Sequence, residues 1–281
     1  MSAQQFHIDV TEAGARAVDL LAAQSQLPKL RIKDAMAKGA VWLRRGSSET
    51  RLRRATRELL AGDKLSLYYD ADLLQREPPT PTLIADERHY SVWYKPAGML
   101  AQGTQFGDHC ALLRWSETTL ARESFLVHRL DREAEGLMVI AHSPRAAKAL
   151  SQLWQQAEKS IEKIYTVTVN GVSGDIGAQR RIDLPLDGKA SATELEVIAI
   201  DREKKRTTLR VKLITGRKHQ IRRHLAAIGF PVIGDYRYGR GGEPLQLRAS
   251  ALRFLCPLTK RQRDYNVETI SAFAHTRGET D

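Results

Sequence analysis

Cysteine is scarce in this chain of 281 residues: Cys110 and Cys256 stand alone, far apart. Two isolated thiols build neither a disulfide framework nor a cysteine zinc site, and they suit a reducing cytosol. No apolar run approaches the roughly 18–20 residues that span a bilayer. Met1–Glu12 lacks both a basic opening and an apolar core, so no secretory signal is expected. There is no Gly-x-x-x-x-Gly-Lys loop, no Gly-x-Gly-x-x-Gly after a strand and no Gly-x-Ser-x-Gly elbow. Nucleotide cofactors are therefore not expected. His109, Cys110, His128 and His142 have no zinc spacing and read as packed or hydrogen-bonding residues, so no metal is expected. Long low-complexity tracts and internal repeats are missing too.

Acid is the other deficit. Asp+Glu number 33 against 44 Lys+Arg, a net charge of +11. A basic field of this size favours nucleic acid or an anionic membrane, although a solvated basic surface has the same composition. Together these absences point to a soluble cytoplasmic protein with no membrane partner.

Residues 6–70 read as a small unit of their own. A helical pattern from near Thr11, its candidate cap, runs through Ala23. A second helix is expected over Arg31–Lys38, ended by Gly39. Ala40–Leu43 reads as a strand turning at Arg44-Arg45-Gly46, followed by Arg51, Arg53, Arg54 and Arg57, a Gly62-Asp63 turn and the strand Leu65–Tyr69. The stretches RIKDAMAKGAVWLRRG and LLAGDKLSLYY resemble the alpha-L RNA-binding module, with Leu43-Arg44-Arg45-Gly46 where that module usually has Val-Asn-Gly. The resemblance implies RNA contacts through Arg44, Arg45, Arg53 and Arg54. A basic appendage packed on the main domain is the plainer alternative.

Residues 71–85, with Glu77-Pro78-Pro79-Thr80-Pro81, read as a linker. Residues 86–260 form the larger domain, and 261–281 a polar tail. Within the larger domain Tyr90–Tyr94 and Ile164–Val169 read as strands. Thr193–Ile200 and Thr207–Ile214 read as a hairpin. Ser143-Pro144 opens a helix to Lys159, and Lys218–Ile228 forms another with Gly229 as its C-cap. Strands outnumber helices. An α+β fold with a mixed, largely antiparallel sheet is expected.

The chemistry centres on His128-Arg129-Leu130-Asp131-Arg132-Glu133-Ala134-Glu135-Gly136. A lone aspartate leaves one apolar segment, sits between two arginines and is followed by glycine and a second apolar run. Nearby cations favour the charged form of a carboxylate. The spacing predicts two strands meeting at a corner, with Gly136 at positive φ. A second basic cluster, Thr215–His224, joins a strand end to a helix start, a usual place for a phosphate contact. Glu133 and Glu135 read as solvated, which leaves Asp131 without the second carboxylate that glycoside hydrolysis needs.

HRLDREAEGLMVIA, IEKIYTVTVNG, GKASATELEVI and LITGRKHQIRRHLAAIGFPVIGDYRYG, with WYKPAGML around Lys95, resemble the RluA family of RNA pseudouridine synthases. The resemblance spans about Tyr90–Leu258 and implies isomerisation of a uridine in structured RNA, large-subunit rRNA first and tRNA second, by a monomer without cofactor. It implies Asp131 as the catalytic carboxylate, acting at the ribose anomeric carbon or on a neighbouring sugar proton. Tyr165 would pack on the base and help remove the carbon-5 proton, and Arg217 would ion-pair with Asp131. Arg129 would help displace the nucleotide from its stack. Lys95, Lys163, His219, Gln220 and Arg222 would shape the pocket or contact RNA. Three places depart from the family's usual residues: Ala134-Glu135 for Thr-Ser, Arg248 for His in Leu-His-Ala, and Cys256 for His before proline. They keep a second class in play, a non-catalytic RNA-binding or ribosome-assembly protein on the same fold. A glycoside or nucleoside hydrolase is a third.

Overall fold

The computed structural model describes residues 3–156, 160–172 and 174–268, and the chain divides into two compact units. The first comprises Met1–Pro78 with Gln102–Leu120. Its strands β1 (Gln4–Asp9), β2 (Val41–Arg45), β3 (Ser48–Arg51) and β4 (Lys64–Tyr69) form a sheet in the order β1-β4-β2-β3. Leu65 and Leu67 of β4 and Val41 and Leu43 of β2 alternate inward. There they meet Leu21 of α1 (Ala17–Ser25) and Ile32 and Met36 of α2 (Lys29–Ala37). Helix α1 starts later than the sequence pattern suggests. Gly14 takes φ +86° and breaks the turn after Thr11, so Thr11 caps nothing.

Two expected boundaries are corrected here. Residues 71–85 carry a short helix, α3 (Ala71–Leu74), capped by the Asp70 carboxylate, and most of strand β5 (Thr82–Asp86). Only residues 75–81 between them lack regular structure. The segment 102–120, assigned from sequence to the larger domain, belongs to the first unit. Asp108 takes salt bridges from Arg51 (3.1 Å) and Arg53 (2.5 Å), and the Trp42 indole donates to the Gln105 carbonyl. Helix α4 (Leu112–Leu120) completes this segment.

The second unit holds one long sheet. Its strands are β5, β6 (Tyr90–Lys95), β7 (Phe125–Leu126), β8 (Glu135–Ala141), β9 (Ile161–Asn170), β10 (Gln179–Asp183), β11 (Ala192–Asp201), β12 (Arg206–Leu213), β13 (Leu247–Leu255) and β14 (Gln262–Asn266). The main order is β10-β11-β12-β9-β13-β8-β6-β5. Every pairing is antiparallel except β8 with β13. This is the mixed, largely antiparallel α+β arrangement expected from sequence.

Helix α5 (Pro144–Gln155) starts where Ser143 Oγ accepts the Ala146 amide, and it buries Ala146 and Leu150 against the sheet. Residues 157–159 of the expected helix lie outside the described residues. Helix α6 (Gln220–Ala227) starts two residues later than expected and is followed by Gly229 at φ +85°. The tail expected from residue 261 begins instead as β14. Tyr265 is buried, with its hydroxyl 3.0 Å from that of Tyr90, and this draws the strand onto β13. Residues 269–281 lie outside the described residues.

Gly136 holds a tight position between β6 and β13. It has φ +117°, and a methyl group there would come within 2.3 Å of the Ala249 carbonyl oxygen. Gly136→Ala should cost about 3 kcal/mol from left-handed strain plus overpacking, read as a lowered urea midpoint. A midpoint unchanged from the parent protein would contradict this account.

Candidate active site

Asp131 lies in the connection between β7 and β8, with its side chain 22% exposed at the base of a pocket of about 400 Å³. Two backbone anchors set the connection. The Gly98 amide donates to the Arg132 carbonyl (2.8 Å), and the Lys95 ammonium donates to the carbonyls of Pro96, Met99 and Arg132. Lys95 is fully buried, and burial pushes its pKa down to about 8. It fixes the residue next to Asp131 from inside the protein. The expectation that it touches RNA is therefore corrected.

The partner of Asp131 is Arg222, on the first turn of α6. Arg222 Nη1 donates to Asp131 Oδ2 (2.9 Å), while its Nε and Nη2 grip Asp235 at 2.7 and 2.8 Å. The guanidinium is 1% exposed and Asp235 fully buried. The hydrogen bonds it donates to Asp235, then to Asp131, raise the arginine's proton affinity against the cost of burial. Burial opposes the Asp235 charge, yet Arg222 and the amides of Arg237 and Tyr238 hold its pKa below the usual carboxylate range. One guanidinium is thus shared by two carboxylates, a bidentate geometry to one and a single bond to the other.

This corrects the role expected of Arg217. Its guanidinium donates to the Ala190 carbonyl at 3.2 Å and stands exposed on the pocket rim. Gln220 is corrected too. It is 2% exposed, accepts from Thr215 Oγ1 and the Arg217 amide, and donates to Ala192 and Thr193. It braces the loop before α6 from beneath. His219 takes left-handed φ +53°, with Nε2 3.6 Å from Asp131 Oδ1 and Nδ1 3.0 Å from the Tyr238 hydroxyl. Burial outweighs the pull of Asp131 and lowers its pKa, which favours the neutral ring at pH 7.

Tyr165 and Lys163 project from the same face of β9 and line the pocket. Burial, then the Asp131 charge, raises the Tyr165 pKa and keeps the phenol protonated. Lys163 is 5% exposed, and burial brings its pKa down to about 8. Arg129 stands exposed at the mouth. His128 stacks on Trp154 at 4.6 Å, and its Nε2 accepts the Val139 amide. Burial, then Lys163, pushes its pKa down to about 3. Because this ring is neutral in the fold and must charge on unfolding, the stability it supports is present above pH 6.5. That stability is lost as pH falls toward 3. A His128→Gln variant should show a shallower fall of its urea midpoint between pH 7 and pH 4 than the parent protein. Parallel curves would contradict the assignment.

A second hollow, about 410 Å³, opens on the other face of β9, over β10–β12. Two of its three arginines already face carboxylates, Arg181 on Glu194 and Arg210 on Glu196, and it holds no member of the Asp131 group. The Asp131 pocket is the one that gathers the residues singled out from the sequence.

Comparison with known proteins gives the family. The sequence model of the family described as RNA pseudouridylate synthase matches residues 89–227. The dual-specificity RNA pseudouridine synthase RluA of Vibrio parahaemolyticus is 33% identical over 213 residues, which cover 66% of this chain and 83% of that protein. The chain belongs to the RNA pseudouridine synthase family. Ribosomal large subunit pseudouridine synthase D of Pseudomonas aeruginosa is 36% identical over 174 residues, 56% of this chain and 53% of that one. The solved structure of human RNA pseudouridylate synthase domain containing 1 shares the fold, with a TM-score of 0.56 at 20% identity. It covers 68% of this chain and 85% of the other.

Two of the enzyme's departures from the usual family residues meet in space. Arg248 of β13 pairs with Glu135 of β8 in parallel register, and Arg248 Nε donates to Glu135 Oε1 at 2.7 Å. The half-buried Tyr94 phenol joins them, its pKa pushed up to about 12 by burial and then by Glu135. Glu135 was read from sequence as solvated, and pairing across 113 residues was invisible there. Ala134 is buried, so the other half of that departure fills apolar space.

The basic residues expected to face RNA in the first unit divide. Arg44 pairs with Glu49, Arg45 grips the buried Asp63, and Arg53 is drawn to Asp108. Arg54 is exposed. The clustering seen in sequence does not reveal these partners, because each acid arrives through a turn or from another segment.

Proposed function

We propose that the enzyme isomerises one specific uridine within structured RNA, with Asp131 as the catalytic carboxylate. Large-subunit rRNA is the first candidate, since the Pseudomonas aeruginosa relative is named a ribosomal large subunit pseudouridine synthase, and tRNA is the second. The single observation that carries the reading is a carboxylate held at 2.9 Å by a buried arginine, in a pocket that also contains a protonated tyrosine.

A base inside folded RNA must leave its stack to reach such a pocket, at a cost of a few kcal/mol. Arg129 at the mouth helps hold the gap, and Tyr165 receives the base, recovering about 1–3 kcal/mol of stacking. Asp131 attacks the anomeric carbon or takes a neighbouring sugar proton while the uracil detaches and turns. Reattachment through carbon-5 forms the C-glycoside, and the carbon-5 proton departs by way of the tyrosine side of the pocket. The fixed Arg222 charge balances Asp131 without solvent rearrangement. Lys163, buried beside Tyr165, offers an ammonium to the nucleotide. Arg217 and Lys218 give the RNA path a cationic edge, with the neutral His219 ring beside them. The first unit is read as an RNA-binding module of the alpha-L kind, with Arg54 and Arg57 among its exposed cations.

The test is tritium release from RNA carrying carbon-5-labelled uridine, followed by pseudouridine mapping in cells with and without the gene. Isomerisation releases label and leaves one mapped site missing in the deleted strain. A non-catalytic binder or a hydrolase would release none.

A further inference from the structure

Tyr236 has no place in the reaction just described, yet it is the only exposed aromatic side chain among the described residues, at 66%. Its neighbour Tyr238 turns inward to His219. The loop that presents Tyr236 is held from within. Asp235 Oδ1 accepts the amides of Arg237 and Tyr238 at 2.9 and 3.0 Å, and the Asp235 carbonyl accepts those of Gly239 and Gly241. An exposed ring on a pre-ordered loop loses little conformational freedom when something packs on it.

The ring's position is equally specific. Its centroid lies 6.0 Å from the carbon of the Arg222 guanidinium, the group that holds Asp131. Arg237 and Arg240 follow it in the same loop, both exposed, and Arg237 is near enough to His219 to weigh on that ring's charge. An exposed aromatic face on a basic loop, one guanidinium away from the carboxylate, suits a nucleobase whose neighbouring phosphates meet the arginines.

We propose that Tyr236 is the stacking platform for an unpaired nucleotide adjacent to the target uridine, with Arg237 and Arg240 on its flanking phosphates. The assignment rests on RNA being the substrate and makes this loop a determinant of which uridine is chosen. Its occupant is a base already outside a helix, since a base inside one has both faces covered by its stacked neighbours.

The experiment uses the full chain and a single-stranded oligoribonucleotide carrying 2-aminopurine, whose fluorescence falls on stacking. Parent protein and Tyr236→Phe should quench it alike. Tyr236→Leu should bind about tenfold more weakly and lose the quench. Arg237→Ala should weaken binding while the quench at saturation persists, with a shallower salt dependence. Equal affinity and equal quench for Tyr236→Leu would overturn the proposal, as would no quench by the parent protein. Tritium release by the parent protein is measured separately. Failure of the isomerase reading therefore appears there, while failure of the stacking platform appears in the fluorescence.

Discussion

Asp131→Asn should abolish pseudouridine formation, lowering the rate by at least about 10⁴-fold, while RNA binding and melting temperature stay close to those of the parent protein. The geometry explains why the two readouts separate. Arg222 keeps its two bonds to Asp235 when Asp131 loses its charge, and the asparagine oxygen can still accept from Nη1. Lys95 and Gly98 hold the neighbouring carbonyl whatever residue stands at 131. The pocket therefore survives, and what is lost is a charged oxygen able to act on the ribose. The measurement is single-turnover tritium release alongside filter binding of the same RNA. Retained turnover would remove Asp131 from the mechanism.

Arg222→Met should damage both the fold and the activity. It leaves Asp235 buried without its countercharge, and stranding one member of a buried pair costs about 3–5 kcal/mol. In a chain of this size that lowers the melting temperature by roughly 10 °C. Asp131 loses its countercharge in the same step. Combining Arg222→Met with Asp235→Asn should restore much of the stability, because the stranded charge is gone, yet restore no activity. Arg217→Ala gives the contrast. Its exposed guanidinium reaches a backbone carbonyl, so the melting temperature should hold and the loss should fall on RNA affinity. If Arg217→Ala removed the stability and Arg222→Met left it intact, the ion-pair assignment would be reversed.

How far the sequence reaches is clearest at these two arginines. Both stand in one basic segment, and spacing along the chain makes either a candidate partner for Asp131. The choice depends on His219 taking φ +53° and on α6 starting only at Gln220, which turns Arg222 inward and leaves Arg217 on the rim. A left-handed histidine has no pattern signature. Features set by neighbours in the chain were legible: the Ser143-Pro144 helix start, the positive φ of Gly136, and the strand and hairpin pattern. Features set by distant partners were not. Asp108 joins the first unit through arginines more than 50 residues earlier, and β14 is drawn onto the sheet by Tyr90.

The Glu135–Arg248 bond couples those two positions. A mutation at either one alone leaves the other charge beside Tyr94 without its partner, and because Arg248 is 49% and Glu135 27% exposed, water limits the loss to about 1 kcal/mol. The coupling should carry over to transplantation. A relative given Arg248 alone, or Glu135 alone, should fold less well than its parent, and one given both should recover.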